Sequence, residues 1–420
     1  MSTVVPRITV KGETVRTRNL VVAAAIASTL AITTAAAATT PPASGGTAAA
    51  AAEPDAANPI VIGAAMDGSG AMAPVDGPAL AAARLTVDKI NAEGGVLGRK
   101  LVLEYIDTKL DPAGTKAAAV DLITKKGAKV LLTTCDVDFA TPAVQEGIDA
   151  GLLTIAPCIG TDQMGPLRFG DKGKLAFSMG NVAQDEGAVL AELAIERGYK
   201  TAIVVPDNLL VYFQNVCSSF KQRFEEKGGK VISEEGFTSF DQSVNNVATI
   251  VTGAGAADVI TMCTFSPDIT AAFKGIRDAG VTTPILGPWS GDGTYWMPSG
   301  LSNYTYVTYA SVFGDDPDPA VNDLIAKLTA AGAPPASGGF VTGAAAVEAI
   351  AKAITEVGDT DGAKLAAAFE GFKGLDATGG KISFSAELHS VSGREYRVMN
   401  VTDSKPVFEK LMAASSPAQL

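Results

Sequence analysis

The chain holds one histidine, His389, and four cysteines, Cys135, Cys158, Cys217 and Cys263. A Ser-His-Asp relay, a Cys-His pair or a histidine-ligated metal would each have to rest on that one histidine. It stands between Leu388 and Ser390 in a polar stretch and reads as a solvated loop residue. No catalytic residue, no metal ligand and no cofactor is therefore assigned. A second candidate for chemistry is Gly68-Ser69-Gly70-Ala71-Met72-Ala73, which follows an apolar run and precedes a helical pattern, the order of a dinucleotide fingerprint. Its ribose acid would be Asp107, thirty-four residues beyond Ala73, where about 20 is the rule. A nucleotide-dependent enzyme is thus a remote alternative. The competing reading is a glycine-rich loop at the mouth of a cleft.

Aromatic and acidic residues give a stronger signal. Ligands of open α/β sheets bind outside the carboxyl ends of the strands. That rule selects the loops 66–72, 135–139, 158–161, 208–212, 264–266 and 289–292. Aromatics make up only 6% of the chain, yet Tyr212, Phe265 and Trp289 fall in these loops, with Tyr295 and Trp296 close by. Asp136, Asp138 and Asp292 fall there too. The candidate ligand-binding set is Asp136, Asp138, Cys158, Thr161, Tyr212, Phe265, Ser266, Trp289 and Asp292. For the two aspartates of the 135–139 loop the alternative role is capping of a helix predicted to begin at Pro142.

Apolar runs at 60–65, 101–106, 130–134 and 153–155 alternate with helical patterns at 78–91, 112–125 and 142–150. That order predicts a parallel sheet with helices on both faces. After 177–181 the pattern restarts and yields a second sheet of the same class from strands at 201–205, 230–235, 259–263 and 284–286. Cys135 and Cys158 end successive strands that a right-handed crossover places side by side. A disulfide between them is the favoured pairing, with two buried free thiols as the alternative. A Cys217–Cys263 pair is a weaker expectation.

The stretch 88–112, DKINAEGGVLGRKLVLEYIDTKLDP, feeds a helix through a glycine turn into a buried strand that ends in Asp107. Its wording, INAEGGVLGRKL followed by an acid and then DP, resembles the extracytoplasmic solute-binding proteins of branched-chain amino acid type, which feed ABC importers. The resemblance covers 59 to about 411. It implies an α/β fold of two doubly wound parallel-sheet lobes joined by a three-strand hinge, the type I periplasmic binding protein fold. Lobe 1 would comprise 59–178 and 309–391, and lobe 2 179–308 and 392–413, with hinges near Ser178, Tyr309 and Val391. It also implies capture of a small molecule between the lobes, delivery to an ABC permease and a monomeric state. A ligand-sensing receptor of the same fold is the alternative.

Family site positions carry over with departures. Where the family places a carboxylate-binding serine, this chain reads Thr134-Cys135-Asp136-Val137-Asp138-Phe139, and the next loop reads Pro157-Cys158-Ile159-Gly160-Thr161. Tyr212 fits the first tyrosine position, Phe265 or Ser266 the second, and Trp289 stands where the family has the glutamate that holds the ammonium group. An acid is lost at Trp289, and Asp136 and Asp138 would repel a ligand carboxylate. Aromatic faces plus carboxylates suit a cationic solute, and the aromatic wall also suits an apolar one.

Residues 1–38 read as a signal peptide. Arg16 and Arg18 precede an apolar run from Leu20 to Ile32, and small residues from Ala35 to Ala38 offer cleavage sites. Residues 39–58 read as a flexible leader, so folding is expected to begin near Pro59. No cysteine precedes Cys135, hence no lipobox is found and a periplasmic address is expected, without membrane insertion. The net charge of −12 and pI near 4.7 argue against nucleic acid as a partner.

Overall fold

The structure is a computed structural model that describes residues 53–158 and 160–417. The signal-peptide reading lies outside the described residues.

Seven alternating strands and helices open the described chain: β1 (Asp55–Met66), α1 (Ala73–Ala92), β2 (Arg99–Asp107), α2 (Pro112–Thr124), β3 (Val130–Thr133), α3 (Val137–Asp149) and β4 (Leu153–Ala156). A short α4 (Pro166–Phe169) leads to β5 (Ala176–Asn181). The pattern then repeats through α5 (Ala183–Glu196), β6 (Thr201–Pro206), α6 (Val211–Glu226), β7 (Lys230–Glu234), α7 (Val247–Ala254), β8 (Val259–Cys263), α8 (Asp268–Asp278), β9 (Ile285–Gly287) and β10 (Tyr304–Thr308). Helices α9 (Pro319–Ala330), α10 (Phe340–Val357) and α11 (Gly362–Gly371) precede a hairpin of β11 (Leu375–Ala377) and β12 (Gly380–Ile382). The strands β13 (Ser390–Val391), β14 (Tyr396–Thr402) and β15 (Lys405–Met412) close the described chain.

Two sheets result. The first has the order β13-β5-β4-β3-β1-β2 and is parallel throughout. The second has the order β15-β14-β10-β9-β8-β6-β7, parallel from β10 to β7 and antiparallel at β14 and β15. In each sheet the strand order reverses once, between β1 and β3 and between β6 and β8. Such switch points leave a crevice outside the strand ends. Three segments join the sheets, after β5, after β10 and between β13 and β14. The doubly wound α/β architecture expected from the alternation is the one observed.

Local chemistry explains the element ends. Asp111, Asp318 and Asp361 cap α2, α9 and α11 by accepting the backbone N–H groups of Gly114, Ala320 and Lys364. Gly94, Gly95 and Gly98 have φ values of 104°, 72° and 71°, which lets the chain turn from α1 into β2 at low steric cost. Three expected boundaries move. The fold begins at Asp55, four residues before Pro59, because Asp55 pairs with Arg99 and the Arg99 guanidinium binds Asn58 O and Oδ1. Helix α1 begins before Pro78. Helix α3 begins at Val137, not at Pro142, because Asp136 caps it, accepting from Asp138 N at 2.8 Å and Phe139 N at 3.3 Å.

Helices α1 and α10 cross so closely that a Cβ at Gly343 would overlap the Ala79 carbonyl. Gly343→Ala should therefore destabilise the fold by about 2 kcal/mol through forced separation of the two helices. Chemical denaturation reads this, and an unchanged midpoint would show that the crossing tolerates a methyl group.

Candidate functional site

At the first switch point the loops after β1 and β3 are tied by one carboxylate. Asp76, in the first turn of α1, accepts from Asp67 N at 2.7 Å and Cys135 N at 2.9 Å. Burial pushes its pKa up to about 8. Asp67 in turn accepts from the backbone N–H groups of Ser69, Gly70 and Met72, while Asp107 accepts from Gly68 N and Ser69 Oγ. The donors that a dinucleotide pyrophosphate would need are thus already bound by acids of the chain itself. The fingerprint reading fails on this geometry, and the glycine loop is a structural βα turn.

Asp136 is fully buried; its Oδ1 caps α3 and its Oδ2 has no hydrogen-bond partner among the described residues. Burial first, and then the neighbouring Asp138, raise its pKa to about 7. Cys135 is joined to Cys158 and Cys217 to Cys263. Thr161 is buried, its Oγ1 accepting from Gln163 N and its carbonyl from Ser390 Oγ. The polar atoms of Thr161 and the sulfur of Cys158 are therefore engaged inside the protein.

The second switch point is organised by Asp207, which accepts from Leu209 N, Ser239 N and Oγ, and Thr264 Oγ1. Beside it lies an acid that the sequence reading missed. Glu186, on α5, is fully buried and accepts from the Tyr212 hydroxyl at 2.7 Å and from Trp289 N at 2.5 Å. No cation stands within ion-pair distance of it among the described residues. Burial, the dominant influence, pushes its pKa up to about 8. Trp289 stacks on Tyr309 with ring centroids 5.2 Å apart, and Gly339 makes room for it, since a Cβ there would overlap the indole. Tyr309 lies 5.8 Å from Tyr396. Asp292 accepts from Thr308 Oγ1 at 2.7 Å and Gly338 N at 2.6 Å, and burial raises its pKa to about 7. Phe265 packs on Phe213 and Phe240, next to Tyr212, and Ser266 follows it, joined to Pro267 by a cis peptide bond.

Two hydrogen bonds cross from the loops of the first sheet to helix α6 of the second. Asp138 Oδ2 accepts from Val211 N at 2.9 Å, and Asp162 Oδ1 accepts from Asn215 Nδ2 at 2.8 Å. Asp138 Oδ1 is also paired with Arg168 at 2.5 Å. Both oxygens of Asp138 are thus in use, and its place is a fastening between the two halves.

His389 requires a correction. It is 2% exposed, stacked on Phe177 with centroids 4.0 Å apart, its Nδ1 2.9 Å from Ala176 O and its Nε2 3.3 Å from Glu370. The pairing of β13 with β5 draws it inward. A polar neighbourhood in sequence hid a core position.

The profile of the periplasmic binding protein family matches residues 59–406. Among curated relatives, the chain is 23% identical over 346 residues to Leu/Ile/Val-binding protein homolog 3 of Brucella melitensis, covering 80% of this chain and 92% of that one. Among solved structures it resembles the branched-chain amino acid transporter substrate-binding protein LivJ of Streptococcus pneumoniae in complex with isoleucine, with a TM-score of 0.73, 20% identity, and coverage of 85% and 100%. It also resembles a solute-binding protein of an ABC transporter from R. palustris in complex with benzoate, with a TM-score of 0.70, 20% identity, and coverage of 86% and 99%. Among the described residues no helix is long and apolar enough to cross a membrane.

The cross-sheet bonds help to hold the two halves together. A net hydrogen bond contributes about 1 kcal/mol, so Asn215→Ala should weaken binding of any solute held between the halves about fivefold and leave the melting temperature of the free protein within a few degrees. Calorimetry checks the first and a thermal scan the second; equal affinity in the variant would show that the Asp162–Asn215 contact does not report closure.

Proposed function

This chain belongs to the periplasmic binding protein family, and from that premise we propose that it captures an amino-acid-like solute between its two lobes and presents the closed form to the permease of an ABC importer. It would do so outside the cytoplasm, as a single chain and without chemistry on the solute. The observation that carries the reading is Glu186, a buried acid with no cation beside it, walled by Tyr212, Trp289 and Tyr309. An ammonium group over aromatic faces and against a carboxylate is what such a pocket favours. On this reading Glu186 takes over the ammonium-holding role from the loop after β9, where Trp289 replaces the family's acid. Asp292 lies close enough to act electrostatically on Glu186 and would deepen the negative potential. Tyr212, Trp289, Phe265 and Ser266 would line the second lobe, and Asp136, with its free oxygen, the first. Asp138, Cys158 and Thr161 would shape the first-lobe wall without touching the solute.

The names of the relatives speak of leucine, isoleucine and valine, and the bound molecules in the two neighbours are isoleucine and benzoate. Both molecules combine an apolar body with a carboxylate. Thermal shift of the purified protein against aliphatic amino acids, benzoate, quaternary amines and polyols tests the reading, since a solute at 100 times its dissociation constant adds about 2.7 kcal/mol to stability. Stabilisation by polyols alone would sink it.

The raised acids fix a pH dependence. Glu186 titrates near 4.5 when unfolded and near 8 when folded. Between those values the folded state holds a proton that the unfolded state has released, so this contribution is complete below about 4.5 and is lost as pH rises to about 8. Asp76, Asp136 and Asp292 act with the same sign. The melting temperature of the free protein should fall from pH 5 to pH 8, and Glu186→Gln should flatten part of that fall. An ammonium group bound to Glu186 should expel its proton at pH 7. Calorimetry in buffers of different ionisation enthalpy would detect the release, and its persistence in Glu186→Gln would assign the proton to another group.

A further inference from the structure

Three segments join the two sheets, and each delivers polar atoms to one buried place. Asn181 comes from the end of β5, Tyr309 from the segment after β10, and Arg394 with Tyr396 from the segment between β13 and β14. Arg394 is 2% exposed, and its Nη2 donates to Met179 O at 2.9 Å. Its Nε and Nη1 have no hydrogen-bond partner, and no carboxylate lies within ion-pair distance among the described residues. The guanidinium sits 5.6 Å from the centroid of the Tyr309 ring. The hydroxyls of Tyr309 and Tyr396 lie against Asn181, one at its backbone and one at its side chain, and Asn181 donates its Nδ2 to Arg394 O at 3.0 Å.

The chain pairs its other buried arginines. Arg397 grips Asp316 through Nε at 3.0 Å and Nη2 at 3.1 Å, and Arg223 is bound to Glu192. A buried guanidinium without an anion is strongly unfavourable, and two unpartnered nitrogens on one buried side chain are rare enough to ask for a missing partner. Water would supply hydrogen bonds but not charge. The partner that answers a cation flanked by tyrosine hydroxyls is an anion.

We propose that Arg394 receives the carboxylate of the solute, at the point where the three connecting segments meet. This rests on the amino-acid-like reading and gives the solute its second end. Tyr309 and Tyr396 interact electrostatically with both Glu186 and Arg394, so the acid, the tyrosine pair and the guanidinium share one neighbourhood. A zwitterion would place its ammonium group at Glu186 and its carboxylate at Arg394. The carboxylate would then contact groups from all three connecting segments at once and hold them in the closed arrangement.

The test compares leucine with leucinamide and benzoate with benzamide, on the wild type, Arg394→Met and Arg394→Lys, by calorimetry and thermal shift. The wild type should prefer each carboxylate over its amide. Arg394→Met should melt no lower than the wild type when free, because it removes an uncompensated buried charge, and should lose roughly thirtyfold or more in carboxylate affinity. Arg394→Lys should keep a reduced preference for the carboxylate, which serves if the methionine variant fails to fold. A free Arg394→Met protein that folds but melts well below wild type would mark the guanidinium as structural and overturn the proposal, as would unchanged carboxylate affinity in a folded variant. Acetate or chloride alone stabilising the protein as much as leucine would make this a free-anion site and overturn its role in the solute. Binding of quaternary amines without any carboxylate would remove the Arg394 assignment and leave the carrier reading standing; binding of nothing in the panel would remove both.

Discussion

Parallel strands that diverge at a switch point leave splayed backbone N–H groups with no sheet partner, and in both sheets of this protein a buried aspartate collects them. Asp76 draws together the loops after β1 and β3. Asp207 draws together the loops after β6, β7 and β8. Buried donors have to be satisfied somewhere, so these acids determine the shape of both crevice walls. Everything else at the site, from the cap on α3 to the seat of Tyr212, is built on loops that those two carboxylates hold in place.

The same device leaves an electrostatic imbalance. Asp76 and Asp136 sit in one half and Glu186 and Asp292 in the other, each fully buried and each pushed toward its protonated form by burial. Asp76, Asp292 and Glu186 each bind two donors of the chain itself. Asp136 keeps an oxygen free and Glu186 lies among aromatic rings. On the proposed reading these are the two acids, one in each half, that a solute would meet.

Much of the fold was legible because α/β alternation is written in apolar runs and glycine turns, as in the 88–112 stretch. Pro78 and Pro142 misled the helix starts: each looks like a first-turn proline, yet an aspartate further upstream captured the helix in the case of α3. The Cys135–Cys158 pair was legible from strand ends, because adjacent parallel strands bring their carboxyl ends together, whereas Cys217 lies on α6 and its pairing with Cys263 was only weakly marked. The polar centre was not. Glu186 reads as an acid suited to the positive end of a helix, and nothing local says that this helix end is covered by residues a hundred positions away. Arg394, in Ser-Gly-Arg-Glu, reads as a surface turn for the same reason, and His389 reads as solvent-facing although β13 carries it inside. Sequence patterns report local periodicity, whereas these three positions are decided by which strand the chain crosses to next.

A solute shifts an opening equilibrium only by binding one state better than the other. The two cross-sheet hydrogen bonds, Val211 N to Asp138 and Asn215 to Asp162, favour the joined arrangement of the two halves by roughly 1 kcal/mol each. Against them stands the desolvation of Glu186 and, on the proposed reading, of Arg394, whose charges find no counterpart in the chain. Closure without solute is then opposed by the very groups that would hold it. A zwitterion that neutralises both ends converts that opposition into attraction, so the difference in affinity between open and closed states resides in charge compensation rather than in the area of aromatic wall. Selectivity follows from the same term: an apolar solute of equal size would fill the space beside Trp289 but leave Glu186 protonated and the Arg394 guanidinium unmatched, and would gain none of the charge compensation.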